Sequence, residues 1–152
     1  MQRLSGCRVH LDANIFILFV EAAYASGSAL HQIFDGIGKH RWAVVTSELS
    51  LAEVLVRPIQ LRNEKMIAIY EAVLQFCPGL ERCAIDLATL RSCARIRADH
   101  GLKLPDAIHV ASALATNCQF LITEDKRVRS VDQLQVLRLA DLVIAPPPPE
   151  TP

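Results

Sequence analysis

Short apolar runs alternate with helical segments along most of the chain. Five runs have the length and the β-branched content of strands, at 8–12, 42–46, 81–85, 119–123 and 136–139. The segments between them favour helices, at 14–23, 29–39, 47–56, 63–77, 86–100 and from Pro105 onward. Pro58 is expected to end the third of these helices, and Gly101 the fifth.

The apolar runs are continuous, whereas strands with one solvated face show alternation. Continuous runs are typical of parallel strands that are buried on both faces, and alternation of strands with helices is typical of α/β folds. We therefore predict a three-layer α/β/α domain over residues 1–145, with a central parallel sheet of about four or five strands. Residues 146–152 are rich in proline and are predicted to form a disordered tail.

Charge and cysteine content narrow the class of protein. Among 152 residues, Lys plus Arg and Asp plus Glu number 16 each, which gives no net charge. This balance argues against the broad basic surface of a general DNA-coating protein, although it leaves room for a local basic rim. The five cysteines are an odd number without a C-x-x-C pair, as expected for reduced thiols in the cytoplasm.

No segment of the sequence predicts export or membrane insertion. The first residues lack an apolar stretch with a cleavage site. The longest apolar run, 15–20, is far too short to span a bilayer. We expect a cytoplasmic protein that does not associate with membranes.

Three acidic residues lie where predicted strands end or a helix begins. Asp12 ends the first strand, Asp125 follows the strand at 119–123, and Asp106 begins the helix that leads into that strand. In open α/β sheets, binding sites form beyond the carboxyl ends of the strands. These positions therefore predict a shared site.

Glu53 is unusual because it takes an apolar position of its predicted helix. Leu49, Ala52, Glu53 and Val56 are spaced i, i+3, i+4 and i+7, which predicts a face that packs against the core. A carboxylate in such a position is costly unless it is paired or bound to a cation. Glu53 is therefore a fourth candidate for the site.

Each acid taken alone has a simpler explanation. Asp12 is a suitable N-cap, and Asp106 suits the positive end of a helix dipole. Asp125 is a common turn residue, and Glu53 has Arg57 one helical turn away for an exposed ion pair. Taken separately, these explanations are preferred for Asp12 and Asp106.

The four acids taken together need a common explanation. Two unit charges ~4 Å apart repel by about 4 kcal/mol at an effective dielectric constant of ~20, and total stability is only roughly 5–15 kcal/mol. A converged cluster therefore requires protons or divalent cations, and oxygen ligands without a histidine or cysteine set favour Mg²⁺ or Mn²⁺. Such a site suits phosphodiester hydrolysis by metal-activated water. Asp86 lies at a similar strand-to-helix junction, but we assign it to capping.

Four segments of the sequence resemble the PIN-domain family, in particular the VapC-type ribonuclease toxins of bacterial toxin–antitoxin pairs. They are VHLDANIFI, SELSLAEVLVRP, LKLPDAIHVASAL and FLITEDKR, in the order of that family. The resemblance implies RNA cleavage that depends on Mg²⁺ or Mn²⁺. It assigns the catalytic and metal-binding roles to Asp12, Glu53, Asp106 and Asp125.

The same resemblance assigns supporting roles to Asn14 and Thr123, which match polar helpers of the family. Two positions depart from the family pattern. Ala13 stands where Ser or Thr is common, and Glu124 stands where a small polar residue is frequent. Glu124 is either an additional ligand or, as we favour, a solvent-facing side chain.

Other polar residues near these motifs have two interpretations each. Lys126 and Arg127 either contact RNA phosphates or are ordinary solvated loop charges, with equal support for both. The five histidines form no metal-binding set, and we expect His109 to pack and hydrogen-bond against the sheet without a catalytic role.

The resemblance also implies partners. VapC-like toxins commonly dimerise, and an antitoxin covers the metal site. The apolar helix at 14–20 supports an exposed interface, because a helix at the edge of a small domain cannot bury every face. We therefore expect a homodimer, an antitoxin partner and an RNA substrate.

Two alternative functions are also considered. One is a catalytically silent PIN domain that binds RNA or acts as a scaffold, and the other is a receiver-like signalling module. The receiver is disfavoured because only a single acid follows the first strand.

Overall fold

The computed structural model describes Leu4 and residues 6–21, 29–39 and 42–142, and the predicted tail at 146–152 lies outside these residues. These described residues contain five strands: β1 (Arg8–Leu11), β2 (Ala43–Ser47), β3 (Leu80–Cys83), β4 (Phe120–Ile122) and β5 (Gln135–Leu137). They form one parallel sheet in the order β3-β2-β1-β4-β5. The predicted sheet is confirmed.

In the described part of the chain, six helices connect the strands: α1 (Ala13–Glu21), α2 (Ala29–Gly38), α3 (Leu49–Gln60), α4 (Glu64–Phe76), α5 (Leu87–His100) and α6 (Leu104–Ala115). A 3₁₀ helix follows β5 at Leu139–Asp141. No helix in the described part of the chain has the length and apolarity needed to traverse a lipid bilayer.

Two apolar cores lie on opposite faces of the sheet. Val9 and Leu11 of β1 belong to the core that also contains side chains of α1 to α4, such as Phe16 and Tyr70. On the other face, Val45 and Leu121 pack with side chains of α5 and α6. Because successive side chains of a strand point to opposite faces, continuous apolar strands are needed to supply both cores. The three-layer α/β/α prediction is confirmed.

The structure corrects two expectations for α3. Pro58 lies inside the helix, which continues to Gln60. A proline in the last turn removes only one backbone donor, and the Pro58 carbonyl accepts a hydrogen bond from Asn63 N at 2.9 Å. The buried face contains Ser50, Val54 and Pro58, whereas Val56 is 52% exposed. The face that carries Glu53 therefore lies toward the edge of the core.

The ends of α5 follow their sequence signals. Asp86 is the N-cap, and its Oδ1 accepts a hydrogen bond from Thr89 N at 2.7 Å. Gly101 ends the helix with a left-handed φ of 67°, and its N–H donates to Arg97 O. The capping role predicted for Asp86 is confirmed.

Candidate metal centre

A cleft of about 460 Å³ opens at the carboxyl ends of β1 and β4. All four predicted acids line it: Asp12, Glu53, Asp106 and Asp125. They come from the ends of two strands and from α3 and α6, so the parallel sheet brings together residues that are far apart in sequence. Asn14, Lys103 and Arg127 also line the cleft.

Asp12 is held by side chains on one of its two oxygens. Its Oδ2 accepts hydrogen bonds from Asn14 Nδ2 at 2.8 Å and from Thr123 Oγ1. Its Oδ1 lies 3.4 Å from His109 Nε2. The first turn of α1 is closed by the Asp12 carbonyl, which accepts from Ile15 N at 3.0 Å. The backbone carbonyl of Asp12 thus accepts the hydrogen bond at the start of α1. The buried Asp12 carboxylate does not cap the helix and is fixed within the site.

Asn14 and Thr123 join the β1–α1 junction to the loop after β4. Asn14 Nδ2 donates to Thr123 Oγ1 at 2.9 Å, and Asn14 Oδ1 accepts from Glu124 N at 3.1 Å. Thr123 Oγ1 also accepts from Asp125 N at 3.0 Å while its hydroxyl proton goes to Asp12. A single hydroxyl therefore orients one acid directly and fixes the backbone that carries another.

Glu53 contacts a histidine that crosses from α6. His109 Nε2 lies 2.8 Å from Glu53 Oε2, and the His109 side chain is 3% exposed. Burial alone lowers the pKa of His109, but the hydrogen bond to Glu53 and the charge on Asp12 outweigh it and raise that pKa above its ordinary value. The simpler explanation for Glu53, an exposed ion pair with Arg57, is wrong, because Arg57 pairs with Glu21 at 3.5 Å.

Asp106 presents a buried oxygen to the cleft. It lies in the first turn of α6, as predicted, but its Oδ2 is buried and makes no hydrogen bond with any described residue. Burial raises the pKa of Asp106, and the charge of Asp125 raises it further. A carboxylate that only complements a helix dipole would be solvated, so the dipole explanation is insufficient for Asp106.

Asp125 is paired with Arg127. The Arg127 Nε donates to Asp125 Oδ1 at 2.9 Å and Oδ2 at 3.2 Å, and Nη2 contacts the same carboxylate. These hydrogen bonds lower the pKa of Asp125 to about 2. Arg127 Nη2 also lies 3.8 Å from Asp106 Oδ2. One guanidinium therefore offsets part of the negative charge of two acids.

The structure does not bring the carboxylate of Glu124 into the cleft. Glu124 is exposed, and its Oε1 accepts a hydrogen bond from Leu139 N at 2.7 Å, at the start of the 3₁₀ helix. Lys126 is also outside the cleft. It lines an adjacent cavity of about 530 Å³ together with His100, Arg127 and Arg129.

Two contributors were missed by the sequence analysis. Arg138 braces the loop that carries Asp125, because it donates to Thr123 O and Val128 O at 2.6 Å each. His109 was expected to pack and hydrogen-bond, which it does, but one partner is a site carboxylate. Its spacing of three residues from Asp106 places both on one face of α6, and that spacing was the available signal.

The donor atoms fit a divalent cation. Ligand atoms of Asp12, Glu53 and His109 all lie within 4.8 Å of one another. The buried Asp106 Oδ2 adds an oxygen that lacks a protein hydrogen-bond partner among the described residues. Buried anionic oxygens are costly unless compensated, and carboxylate oxygens are the ligands preferred by Mg²⁺ and Mn²⁺.

The fold and the site together define an α/β/α protein with an acidic cluster at the carboxyl edge of a five-stranded parallel sheet. The family model described as PIN domain matches residues 9–134. The chain therefore belongs to the PIN-domain family, and the receiver-like alternative is wrong. No curated protein sequence is significantly similar to this chain.

Solved structures with the same fold include toxin–antitoxin proteins. DNA-bound VapBC from Salmonella typhimurium is 16% identical, with a TM-score of 0.69 and coverage of 88% of this chain and 98% of that chain. VapBC2 from Rickettsia felis, bound to a promoter DNA fragment, is 14% identical, with a TM-score of 0.66 and coverage of 86% and 98%. VapC20 from Mycobacterium tuberculosis, described as a sarcin-ricin loop cleaving toxin, is 15% identical, with a TM-score of 0.57 and coverage of 78% and 92%.

Proposed function

We propose that this chain is a metal-dependent endoribonuclease and the toxin of a VapBC-type toxin–antitoxin pair. The observation that carries the proposal is the convergence of Asp12, Glu53, Asp106 and Asp125 on one cleft, with the Asp106 Oδ2 buried and without a hydrogen-bond partner among the described residues. Membership of the PIN-domain family and the likeness to VapC20, a toxin that cleaves RNA, support the same chemistry.

The four acids hold Mg²⁺ or Mn²⁺ in this proposal. When bound, the ion lowers the pKa of a water molecule and offsets charge that develops on the phosphate. The residues of the chain prepare the site. Asn14 and Thr123 fix Asp12 so that its Oδ1 stays available, and Arg138 holds the loop that carries Asp125.

RNA approaches the cleft along basic side chains. Lys103 and Arg127 line the cleft, and Lys126, Arg127 and Arg129 line the adjacent cavity, so the two cavities share Arg127. Phosphate contacts of this kind position a nucleic acid without reading its sequence. Because the net charge is zero, a local basic rim is the part of this surface that suits an RNA backbone.

An antitoxin and a second copy of the chain are the proposed protein partners. VapBC structures with this fold are the support for the antitoxin. The interface cannot use Phe16, which is completely buried, and Phe19 stacks on Phe34. Leu18, 37% exposed, and Val56 beside the cleft are the apolar side chains that a partner would cover.

The enzymatic proposal is tested by incubating purified protein with total RNA in Mg²⁺ or Mn²⁺. We expect discrete cleavage products that chelator abolishes and that Asp106→Asn reduces at least a hundredfold. Asp86→Ala is the matched control, since it removes an acid from a helix start outside the cleft, and it should retain cleavage. Cleavage that persists in chelator would contradict the proposal.

A catalytically silent RNA-binding domain is the second candidate. The observation that favours it is the position of Arg127, which already offsets the charge of Asp125 and Asp106. RNA binding in filter assays without cleavage in either metal would select this candidate.

The proposed protein partners are tested separately. Sedimentation should show a dimer, and co-expression with the adjacent gene product should yield a complex that suppresses RNA cleavage. A monomer at all concentrations, or no complex, would contradict these assignments.

A further inference from the structure

A buried pair of histidines connects the centre of the sheet to the candidate metal centre. His10 lies on β1 and His109 on α6, with 0% and 2% of their surfaces exposed. His10 Nε2 is 3.1 Å from His109 Nδ1, and the rings meet edge to face at 66°. His109 Nε2 in turn is 2.8 Å from Glu53 Oε2. Three side chains thus form one line from the core to the cleft.

The partners determine where the protons lie. An ionised Glu53 can only accept, so His109 Nε2 must carry a proton and donate it in the hydrogen bond. If His109 is neutral, its Nδ1 accepts, and His10 must donate from Nε2. If His109 were charged, His10 would have to place its proton on Nδ1. That atom is buried and has no partner among the described residues. An orphaned buried donor is rare and costly, so at a pH above the raised pKa of His109 the geometry favours a neutral His109 that is protonated at Nε2.

Glu53 depends on this contact more than the other acids do on theirs. Its side chain is 31% exposed and extends from α3 toward the cleft, and His109 supplies the one hydrogen bond that it makes with described residues. Asp12, in contrast, has two donors on a single oxygen. A glutamate side chain with few hydrogen bonds loses conformational entropy when a metal immobilises it. A rigid donor such as His109 restricts the side chain beforehand and so reduces this cost.

We propose that His109 is a positioning residue that holds the Glu53 carboxylate in place for the metal, and that His10 fixes the tautomer required for this. His109 Nε2 belongs to the group of potential ligand atoms with Asp12 and Glu53, but in this arrangement it carries the proton donated to Glu53. His109 therefore acts through this hydrogen bond and is not itself a ligand. The inference rests on the proposed function, since it assigns a purpose to Glu53 at a metal site. Outer partners that orient ligands typically change metal affinity by roughly 10–100-fold when they are removed.

Two substitutions of His109 separate its two contacts. In His109→Gln the side-chain amide occupies the place of Nε2 and still donates toward Glu53. In His109→Asn the amide occupies the place of Nδ1, so it faces His10 and does not reach Glu53. Both replace a ring by a smaller amide, and both lose packing in the buried core. The comparison therefore isolates the hydrogen bond from the loss of ring volume.

Mn²⁺ affinity, measured by calorimetry on the full chain, is the first readout. We expect His109→Asn to weaken binding by about tenfold or more and His109→Gln to restore most of the loss, although both lower the melting temperature of the metal-free protein. Asp86→Ala serves as the control for lowered stability with unchanged affinity. Equal Mn²⁺ affinity of His109→Asn and wild type would overturn the inference and leave the metal site intact. Equal, large losses in both His109 variants would overturn it too, because they indicate that Nε2 is a ligand.

The tautomers give a readout that needs neither metal nor activity. Long-range ¹H–¹⁵N NMR of the metal-free protein at pH 8 should show both histidines protonated at Nε2 and bare at Nδ1. A His109 that is protonated at Nδ1 and bare at Nε2 would overturn the inference, whatever the nuclease assays show. Wild-type protein that binds no Mn²⁺ would contradict the proposed function and the positioning role together, while the tautomer result would still test the assigned hydrogen bonds.

Discussion

Arg127 binds the Asp125 carboxylate with two nitrogens: Nε donates to Oδ1 at 2.9 Å, and Nη2 donates to Oδ2. The pair closes a turn of three residues, in which Arg127 N also donates to Asp125 Oδ1 at 2.9 Å. Bidentate contacts of this kind combine charge with defined geometry. Because Arg127 Nη2 also lies 3.8 Å from Asp106, this guanidinium sets the charge balance of the cleft.

Replacing Arg127 by alanine should raise the pKa of Asp125 from about 2 toward the ordinary value of an aspartate. The lowered pKa means that the carboxylate stabilises the folded protein at neutral pH and that this contribution is lost as the pH falls toward 2. Arg127→Ala should therefore weaken the acid dependence of stability in this range. NMR titration of the side-chain carboxyl carbons measures the pKa directly, with Arg129→Ala as the control. An unchanged Asp125 pKa would contradict the role assigned to Arg127.

The sequence was sufficient to predict the sheet, because strands buried on both faces must be continuously apolar. It was insufficient to predict which face of α3 is buried. Glu53 and Val56 share one helical face with Leu49, but the buried face is that of Ser50 and Val54. Both faces contain apolar residues, and only packing against α1 and α4 decides between them. The convergence of the acids on one cleft could be expected from strand ends, whereas the link from Glu53 to His109 depends on how α3 and α6 meet.

Gly36 is required by a close approach of Trp42. A Cβ built on Gly36 would lie 2.0 Å from Trp42 Cζ2 and 2.4 Å from Cη2. Trp42 is 7% exposed and packed in the core, so its ring cannot move away without a loss of packing. Gly36→Ala should therefore lower the free energy of unfolding by roughly 1–3 kcal/mol, although alanine normally favours a helix over glycine by about 1 kcal/mol.

Gly38 in the same helix is the matched control for Gly36, because a Cβ there meets no atom of the described residues within 4 Å. Gly38→Ala should leave stability unchanged or raise it slightly. Urea denaturation of the two variants provides the comparison. Equal stabilities of Gly36→Ala and Gly38→Ala would mean that the Trp42 contact is not as close as the structure describes.

Tyr70 should make the protein sensitive to alkaline conditions. Burial raises the pKa of Tyr70 to about 12, and the charge of Glu21, which accepts from Tyr70 Oη at 3.2 Å, adds to the shift. In the unfolded chain the phenol ionises near pH ~10. Since the folded pKa is the higher, the contribution to stability is complete below pH ~10 and is lost as the pH rises toward 12. Because the hydrogen bond to Glu21 is only partly buried, solvent screening should limit the loss to roughly 1–2 kcal/mol.

Tyr70→Phe removes this titration. At neutral pH the variant should be less stable than wild type by about 1 kcal/mol, because a partly buried hydrogen bond to a charged group is lost. The difference should shrink or reverse between pH ~10 and ~12, where wild type alone loses stability through the phenol. Denaturation series across this range measure it. A constant difference at every pH would show that the Tyr70 pKa is not raised.

The acids of the cleft and the capping acid Asp86 should respond to substitution in opposite ways. Asp106 is partly desolvated and lies near other negative charges, so Asp106→Asn should stabilise the metal-free protein and raise its melting temperature. The same change should weaken Mn²⁺ binding about tenfold or more, equivalent to ~1.4 kcal/mol, because an anionic oxygen is removed. Asp86→Ala should lower stability, because Thr89 N loses its acceptor, and should leave Mn²⁺ binding unchanged. Thermal shift with and without Mn²⁺ reports both effects in one assay. The opposite result would be a destabilised Asp106→Asn protein whose melting temperature rises with Mn²⁺ as much as that of wild type. Asp106 would then be a structural acid like Asp86, and the grouping of the four acids would be wrong.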